Sequence, residues 1–349
     1  MTFVVTGMHR SGTSFVASLL AAWNIRMGDQ LLPADRGNPN GYFEDLAFFD
    51  LDRRMLLACT PDAEGHRDWG WTENETFDPA PLPSFREEAD ALIAERGRSG
   101  HEWGWKDPRT SMLLDFWEER LGGSARFLLV YRHPWEVADS MQRTGAAVWL
   151  NHPEYAARIW TEYNRRILEF HGRHRDRTLL VSMNRLFAEP ESFTTLLRDR
   201  FDVAADAETV SRLRANESFV STPDDDPLPR LWHFAHRDAM DLLGALDDAA
   251  DLGDKRRWET AQRRNAPPRS APPRSAPPRL SVVIPCYDDG EYVIDAVASV
   301  ERNAPDAELI IVDDGSAQAR TREVLDAMRA AGHRVIEQPS SGLSAARNA

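Results

Sequence analysis

A glycine-rich turn close to the N-terminus carries the residues best suited to chemistry on an anion. Residues 7–14 read Gly-Met-His-Arg-Ser-Gly-Thr-Ser and combine one arginine with several hydroxyl groups. An apolar run at 3–6 precedes the turn, and apolar residues at helical spacing follow it at 15–23, which predicts strand, loop and helix. Backbone N–H groups at a helix start lack partners within the helix, and the helix dipole favours negative charge there. The sequence therefore predicts a phosphate-type site at this turn.

The loop departs from the ATP-binding pattern G-x-x-x-x-G-K-[ST] at one position. Gly7, Gly12 and Ser14 fit the pattern, but Thr13 stands where a lysine would contact the β- and γ-phosphates. The cation lies three residues earlier, at Arg10. This departure disfavours γ-phosphoryl transfer, although a nucleotide or small-molecule kinase stays open as an alternative.

A second anion-binding pair is predicted at the end of a buried strand. Residues 126–131 are largely apolar, which is typical of a parallel strand covered on both faces, and Arg132 follows directly. Pro134 suits the first turn of a helix. Ser140 lies eight residues after Arg132, about two turns into that helix.

A lysine in a Lys-Asp-Pro turn, Lys106, forms the third candidate. The chain has 42 Lys and Arg residues together, yet only Lys106 and Lys255 are lysines. Because the ammonium and guanidinium groups differ in hydration and geometry, a lysine kept at this turn indicates a need for a compact cation.

Together these motifs resemble the PAPS-dependent sulfotransferases over roughly residues 1–200. The resemblance implies an α/β fold with a P-loop-type parallel sheet and helices on both faces. It implies transfer of a sulfuryl group from PAPS (3′-phosphoadenylyl sulfate) to a hydroxyl or amine, with Lys106 steadying the sulfonate and the leaving oxygen. Arg132 and Ser140 would hold the 3′-phosphate. The residues expected to hold the 5′-phosphosulfate are Arg10, Ser11, Gly12, Thr13 and Ser14.

The acceptor must lose a proton, and Glu44 is the candidate base. It lies in Asn-Pro-Asn-Gly-Tyr-Phe-Glu-Asp at 38–45, at a place comparable to that of a glutamate in tyrosylprotein-type members of the family. Asp45 is the alternative, and either carboxylate would equally suit the cap of a helix. The segment with which the family grips its cofactor late in the chain is not apparent in 202–260.

Charge and cysteine content restrict the partners and the compartment. The net charge of −14 makes a nucleic acid an unsuitable partner. Cys59 and Cys286 are too few for a disulfide framework and suit a reducing cytosol. The N-terminal apolar stretch is short and contains His9 and Arg10, unlike a signal peptide. No apolar run reaches the roughly 18 residues of a membrane span, so we expect a cytoplasmic protein.

A five-residue repeat marks a boundary in the chain. Ala-Pro-Pro-Arg-Ser occurs at 266–270 and 271–275 and recurs without its serine at 276–279. Because this composition cannot bury a core, we predict an extended linker over 261–279. The linker would separate a domain at 1–260 from a segment at 280–349, and a length of 349 residues favours about two domains.

The segment after the linker alternates strands and helices. Strands are predicted at 280–287, at 308–316, where the strand ends in two carboxylates and a glycine turn, and at 334–337. Amphipathic helices are predicted at 292–303 and 321–331, a combination that is typical of a parallel sheet. Ser-Val-Val-Ile-Pro-Cys-Tyr at 281–287 and Ile-Ile-Val-Asp-Asp-Gly-Ser at 310–316 resemble the opening of family-2, inverting, GT-A glycosyltransferases. The closing residues 342–349 are also similar to that family.

This second resemblance implies a truncated, Rossmann-like βαβαβ half that binds a nucleotide sugar. Tyr287 and Asp313 or Asp314 would contact the base and ribose. The family's metal-binding D-x-D motif and its catalytic base come later than residue 349, so we expect no metal site here. Only a full-length domain would use a nucleotide sugar with a divalent metal. The fusion suggests a glycan or glycolipid acceptor, although a glycosyltransferase with a non-catalytic P-loop module is a further alternative.

Overall fold

The described part of the chain forms two units. A computed structural model describes residues 1–33, 41–60, 76–98, 100–144, 149, 154–215, 222, 228–254, 280–304 and 307–340. The first unit comprises Met1–Thr222 and Asp241–Lys255, and the second comprises Pro223–Met240 and Arg256–Ala349. The linker predicted at 261–279 and the closing motif at 342–349 lie outside the described residues. The boundaries 1–260 and 280–349 therefore stay a prediction.

A five-stranded parallel sheet forms the centre of the first unit. The strands lie in the order β2-β3-β1-β4-β5. Their bounds are β1 Thr2–Thr6, β2 Arg26–Met27, β3 Trp103–Lys106, β4 Ala125–Tyr131 and β5 Thr178–Ser182. Every residue of β1, β3 and β5 is buried, as expected for a parallel sheet covered on both faces. Because β1 pairs with both β3 and β4, the loops after these three strands leave the same edge of the sheet.

Helices connect and cover these strands. They are α1 Thr13–Ala22, α2 Leu46–Cys59, α3 Arg86–Gly97, α4 Leu114–Leu121, α5 Pro134–Gln142, α6 Glu154–Arg173, α7 Met183–Ala188, α8 Pro190–Phe201 and α9 Ala207–Arg214. Two further helices follow: α10 Leu228–Ala235 belongs to the second unit, and α11 Arg237–Ala249 belongs to the first unit from residue 241 onwards. Short 3-10 turns occupy Leu82–Phe85, Pro108–Met112 and Gly122–Ser124. Two separate helices follow β5, because Pro190 cannot donate a backbone hydrogen bond to continue α7 and instead starts α8.

Different side chains cover the two faces of the sheet. On one face, α1 contributes Phe15 and Leu19 to a core shared with Phe3 of β1. Elsewhere, Phe48 of α2 stacks on Trp105 of β3 with ring centroids 4.2 Å apart. Between Trp103 and Trp105, a Cβ at Gly104 would lie 2.1 Å from the carbonyl oxygen of Phe3. The Trp-Gly-Trp sequence of β3 is therefore explained by packing.

The second unit contains a three-stranded parallel sheet in the order β6-β7-β8. Its elements are β6 Ser281–Cys286, α12 Gly290–Asn303, β7 Glu308–Asp313, α13 Ala319–Ala330 and β8 Arg334–Glu337. Ile284, Val297 and Met328 are buried in its core together with Ala235 of α10. Both parts of the predicted fold class, the parallel sheet with helices on its faces and the smaller βαβαβ half, are confirmed.

Among the described residues, no helix is both long and apolar enough to cross a bilayer.

The close approach of β4 to the first turn gives a prediction about Gly7. A Cβ at Gly7 would lie 1.9 Å from the carbonyl oxygen of Val130, so Gly7→Ala must push the loop away from β4. We expect it to lower the free energy of unfolding by roughly 3 kcal/mol, measured by thermal or urea unfolding. In the control Gly172→Ala, the new Cβ meets no described atom within 4 Å. There we expect unchanged stability or a gain of up to about 1 kcal/mol in α6. Equal stability of both variants would contradict the prediction.

Candidate active site

In the glycine loop after β1, the main chain lies so close to neighbouring groups that a side chain would not fit at Gly12. Gly12 adopts a φ of 93°, and a Cβ there would lie 2.7 Å from Sδ of Met183. Arg10 also has a left-handed conformation, with a φ of 66°. Ser11 donates its backbone N–H to the carbonyl of Met8 at 3.1 Å, which closes the turn. Among the described residues, the buried Oγ of Ser11 has no hydrogen-bond partner. A hydroxyl in that position fits an incoming oxyanion.

Lys106 lies at the carboxyl end of β3. It contacts Glu44 directly and the glycine loop after β1 through the carbonyl oxygen of Tyr42. Its Nζ donates to Glu44 Oε1 at 2.5 Å and to the carbonyl oxygen of Tyr42 at 2.9 Å. The same carbonyl accepts from Ser14 Oγ at 3.1 Å. Lys106 is only 2 % exposed and Glu44 only 4 %. Lys106 and Ser14, which the sequence singled out separately, therefore meet at one backbone oxygen, and Glu44 joins them through Lys106.

The electrostatics of Glu44 suit a proton acceptor. Burial raises the pKa of Glu44, and this effect exceeds the opposing influence of Lys106. Oε1 is bound by Lys106, whereas the buried Oε2 has no hydrogen-bond partner among the described residues. A carboxylate with a raised pKa and an unused oxygen is suited to accept a proton from an acceptor group.

Asp45 has a different environment from its neighbour. Its Oδ1 accepts from the backbone N–H of Ala47 at 2.9 Å, which caps α2. Arg96 donates to both oxygens, at 3.0 and 3.1 Å, and the backbone N–H of Asp29 donates to Oδ2 at 2.7 Å. Of the two carboxylates considered for the base, only Glu44 contacts Lys106.

Arg10, Arg132 and Ser140 form one group at the end of β4. Arg10 Nε donates to Ser140 Oγ at 2.9 Å, and Arg132 Nη1 reaches the carbonyl oxygen of Arg10 at 3.5 Å. The sequence predicted Arg10 beside the 5′-phosphosulfate, but its guanidinium contacts the serine that was expected to hold the 3′-phosphate. Burial lowers the pKa of Arg132, and the charges of Arg143 and Arg10 lower it further against the attraction of Glu136. Converging guanidinium groups favour a multiply charged anion.

Glu136 lies behind Arg132 and was not singled out from the sequence. It accepts from Arg132 Nε at 2.8 Å, from Asn184 Nδ2 at 2.9 and 3.1 Å, and from the backbone N–H of Thr222 at 2.7 Å. Burial raises the pKa of Glu136, but His133, Arg132 and Asn184 outweigh it and hold the pKa well below its usual range. The i, i+4 spacing of Arg132 and Glu136 is a local signal that was available in the sequence.

His133 extends this network to Asp254, which lies close in sequence to the last residue of the first unit. Its Nδ1 lies 3.4 Å from Glu136 Oε1 and its Nε2 lies 3.1 Å from Asp254 Oδ2. Burial alone would lower the pKa of His133, but hydrogen bonds to Asp254 and Glu136 raise it. Thr222 and Asp254 both come from the segment 202–260, to which the sequence assigned no role.

A buried carboxylate in α2 supports the segment after Lys106. Asp52 accepts from Thr110 Oγ1 at 2.5 Å and from Trp117 Nε1 at 2.8 Å. Burial, followed by the charge of Asp107, raises the pKa of Asp52 to about 8. Asp107 in turn caps the 3-10 turn by accepting from the backbone N–H of Arg109 at 2.8 Å. Asp52 is therefore mostly protonated at neutral pH.

The second unit has a cavity at the carboxyl ends of its strands. Its volume is about 610 Å³, and it is lined by Asp313, Ser316, Arg322, Glu337 and Gln338 among others. Asp313 Oδ1 accepts from the backbone N–H of Ser316 at 3.0 Å. Asp314 Oδ1 accepts from Gln338 Nε2 at 2.6 Å. Tyr287 is 53 % exposed and is not among the described residues that line the cavity.

Two family models match the chain, one in each unit. The model described as sulfotransferase family matches residues 3–207, and the model described as glycosyl transferase family 2 matches residues 281–349. Among curated proteins, none matches the chain.

Solved structures similar to this chain include several sulfotransferases. The sulfotransferase domain of the Synechococcus olefin synthase is 23% identical, with a TM-score of 0.40, over 64% of this chain and 81% of that one. The sulfotransferase domain from the curacin biosynthetic pathway is 17% identical, with a TM-score of 0.39, over 60% and 76%. A sulfotransferase from Mycobacterium avium is 16% identical, with a TM-score of 0.33, over 64% and 69%.

The raised pKa of Asp52 gives a prediction about stability and pH. The unfolded chain ionises Asp52 at its ordinary pKa of 3.8, whereas the folded protein keeps the proton up to about pH 8. Between these values folding takes up a proton, so stability falls as the pH rises, by at most about 1.4 kcal/mol per unit. Asp52→Asn removes this titration, and urea unfolding at pH 5 and pH 8 should show a flatter pH dependence.

The control for this experiment is Asp115→Asn, at an exposed carboxylate that pairs with Arg173. In this variant the free energy of unfolding should change between pH 5 and pH 8 by as much as in the unchanged protein. If Asp52→Asn showed the same pH dependence of the free energy of unfolding as the unchanged protein, Asp52 would be ionised in the folded protein as well.

Proposed function

Since this chain belongs to the sulfotransferase family, we propose that it transfers a sulfuryl group from PAPS to a hydroxyl or amine of an acceptor. The observation that carries this proposal is the buried pair Lys106–Glu44, joined to the glycine loop through the carbonyl oxygen of Tyr42. The pair brings a cation and a base together beside a predicted phosphate site. This is the combination that in-line transfer from an anionic donor requires.

The residues of the first unit fit a donor with two anionic ends. The backbone N–H groups at the start of α1 and the buried Oγ of Ser11 suit the 5′-phosphosulfate. Arg132 and Ser140 suit the 3′-phosphate. Arg10 lies between the two groups, because its backbone belongs to the loop and its guanidinium contacts Ser140.

The residues of the pair would divide the chemistry between them. PAPS supplies the sulfuryl group, whose S–O bond to the 5′-phosphate breaks while sulfur bonds to the acceptor oxygen or nitrogen. Lys106 Nζ neutralises the charge that develops on the leaving oxygen. Glu44 Oε2 takes the proton that the acceptor loses. Lys106 also holds Oε1 of Glu44, which keeps the base oriented and favours its ionised form.

We further propose that the second unit binds the nucleotide part of a sugar nucleotide. The supporting observation is the cavity of about 610 Å³ at the ends of β7 and β8, which Asp313 lines. Asp314 would act beside it through its contact with Gln338, and Tyr287 would cover the base from the end of β6. A glycan or glycolipid is the acceptor class that this combination of units favours for the sulfuryl transfer.

The first prediction of this proposal concerns the affinity for PAP, the desulfated product. Arg10→Ala and Arg132→Ala should each weaken PAP binding by about 1.5–3 kcal/mol, because each removes a charged hydrogen-bond donor from the phosphate group. Isothermal titration measures the effect. The control is Arg54→Ala, which removes an exposed arginine paired with Asp50 and Glu88. Wild-type affinity in both site variants would rule out this binding site.

The second prediction concerns Lys106 and turnover. Lys106→Ala should lower the transfer of ³⁵S from labelled PAPS by roughly 10²-fold or more while changing PAP affinity little, because the charge it neutralises develops in the transition state. Glu44→Gln should also lose activity through loss of the base. Wild-type turnover in Lys106→Ala would remove it from the mechanism. Transfer of ³²P from γ-labelled ATP by the unchanged protein would instead support the kinase alternative.

A further inference from the structure

Glu136 receives an unusual number of hydrogen-bond donors for a side chain that touches no part of the proposed reaction. Arg132, Asn184 and the backbone of Thr222 all donate to it, and His133 lies within 3.4 Å. The carboxylate is only 5 % exposed. Buried carboxylates are retained at a cost in desolvation, which strong charged hydrogen bonds must offset. The number of donors around Glu136 therefore indicates that its buried charge has a function in the site.

The contacts fix the direction of the Arg132 side chain. An arginine at the end of a strand has several rotatable bonds and loses considerable entropy when it is held in one conformation. Glu136 accepts from Nε, and Nη1 reaches the carbonyl oxygen of Arg10 in the glycine loop. Because Glu136 lies in the first turn of α5, the helix dipole also favours its negative charge there.

The contacts of Glu136 hold Arg132 in one direction. Arg132 Nε donates to Glu136 at 2.8 Å, and His133 lies between the carboxylates of Glu136 and Asp254, at 3.4 and 3.1 Å from their oxygens. Hydrogen bonds to these two carboxylates raise the pKa of His133. Loss of the charge on Glu136 would weaken its hydrogen bond to Arg132, and the guanidinium would then be held less firmly in this direction.

We propose that Glu136 is a positioning residue that aligns Arg132 for the 3′-phosphate of the donor, and that Thr222 holds Glu136 directly while Asp254 acts on it through His133. This inference rests on the proposed function of the site. It also gives the segment 202–260 a role, because Thr222 and Asp254 of that segment support the group that holds Arg132.

The test compares two ligands that differ only in the 3′-phosphate. Isothermal titration gives the affinities for PAP and for adenosine 5′-monophosphate, and their ratio measures recognition of that phosphate. Glu136→Gln, which keeps the shape and removes the charge, should lower the ratio about tenfold or more and leave binding of the monophosphate unchanged. The matched control is Glu189→Gln, because Glu189 also pairs at i, i+4 with an arginine, Arg185, but away from the site.

The outcomes separate the inference from the proposed function. Equal affinity of the unchanged protein for both ligands overturns the proposed function and this inference with it. A wild-type preference for PAP that survives Glu136→Gln overturns the inference alone. A preference that increases would show that Glu136 acts only through its negative charge, which also overturns the inference.

A second variant keeps the test decisive if Glu136→Gln does not fold. Asn184→Ala removes a donor to both oxygens of Glu136 and leaves every charge in place. It should lower the ratio by a smaller factor, about two- to fivefold, consistent with the loss of a hydrogen bond to a charged group that keeps its other partners. An unchanged ratio in a folded Asn184→Ala protein would overturn the inference.

Discussion

The position of β1 between β3 and β4 is the constraint on which the site of the first unit depends. The pairing brings the ends of three strands to one edge, so that the glycine loop, Lys106 and Arg132 emerge side by side. The same pairing leaves no room for a side chain at Gly7 or Gly104, where a Cβ would lie 1.9 and 2.1 Å from neighbouring carbonyl oxygens. Backbone contact at these glycines thus fixes where the functional side chains begin.

The polar groups at this edge are stable because each buried charge has a partner of opposite sign. Lys106 pairs with Glu44, and Arg132 pairs with Glu136. Such pairs contribute little net stability, since desolvation offsets most of their attraction, but breaking one leaves an uncompensated charge in the interior. The arrangement therefore favours a single geometry, which is what an electrostatic site needs if it is not to reorganise during reaction.

Sequence patterns were sufficient for the fold class and for several of the strands and helices that carry the candidate residues, because these depend on local features. The glycine loop, the strand before Arg132 and the helix carrying Ser140 each have a short-range signal. The contact between Glu44 and Lys106 spans 62 positions, and the one between His133 and Asp254 joins distant parts of the first unit. No local pattern encodes such contacts. The direction of Arg10 also escaped prediction, because it follows from a left-handed backbone at a residue other than glycine.

The carbonyl oxygen of Tyr42 has a consequence for how this site can be studied genetically. It accepts hydrogen bonds from both Ser14 and Lys106, yet it belongs to the main chain. Every amino acid supplies the same oxygen, so an alanine scan would record position 42 only through its phenol ring and would miss the contact. Selection acting on side chains is equally blind to it. Exchange of the peptide bond after Tyr42 for an ester, which weakens the carbonyl as an acceptor, is the substitution that would reveal it.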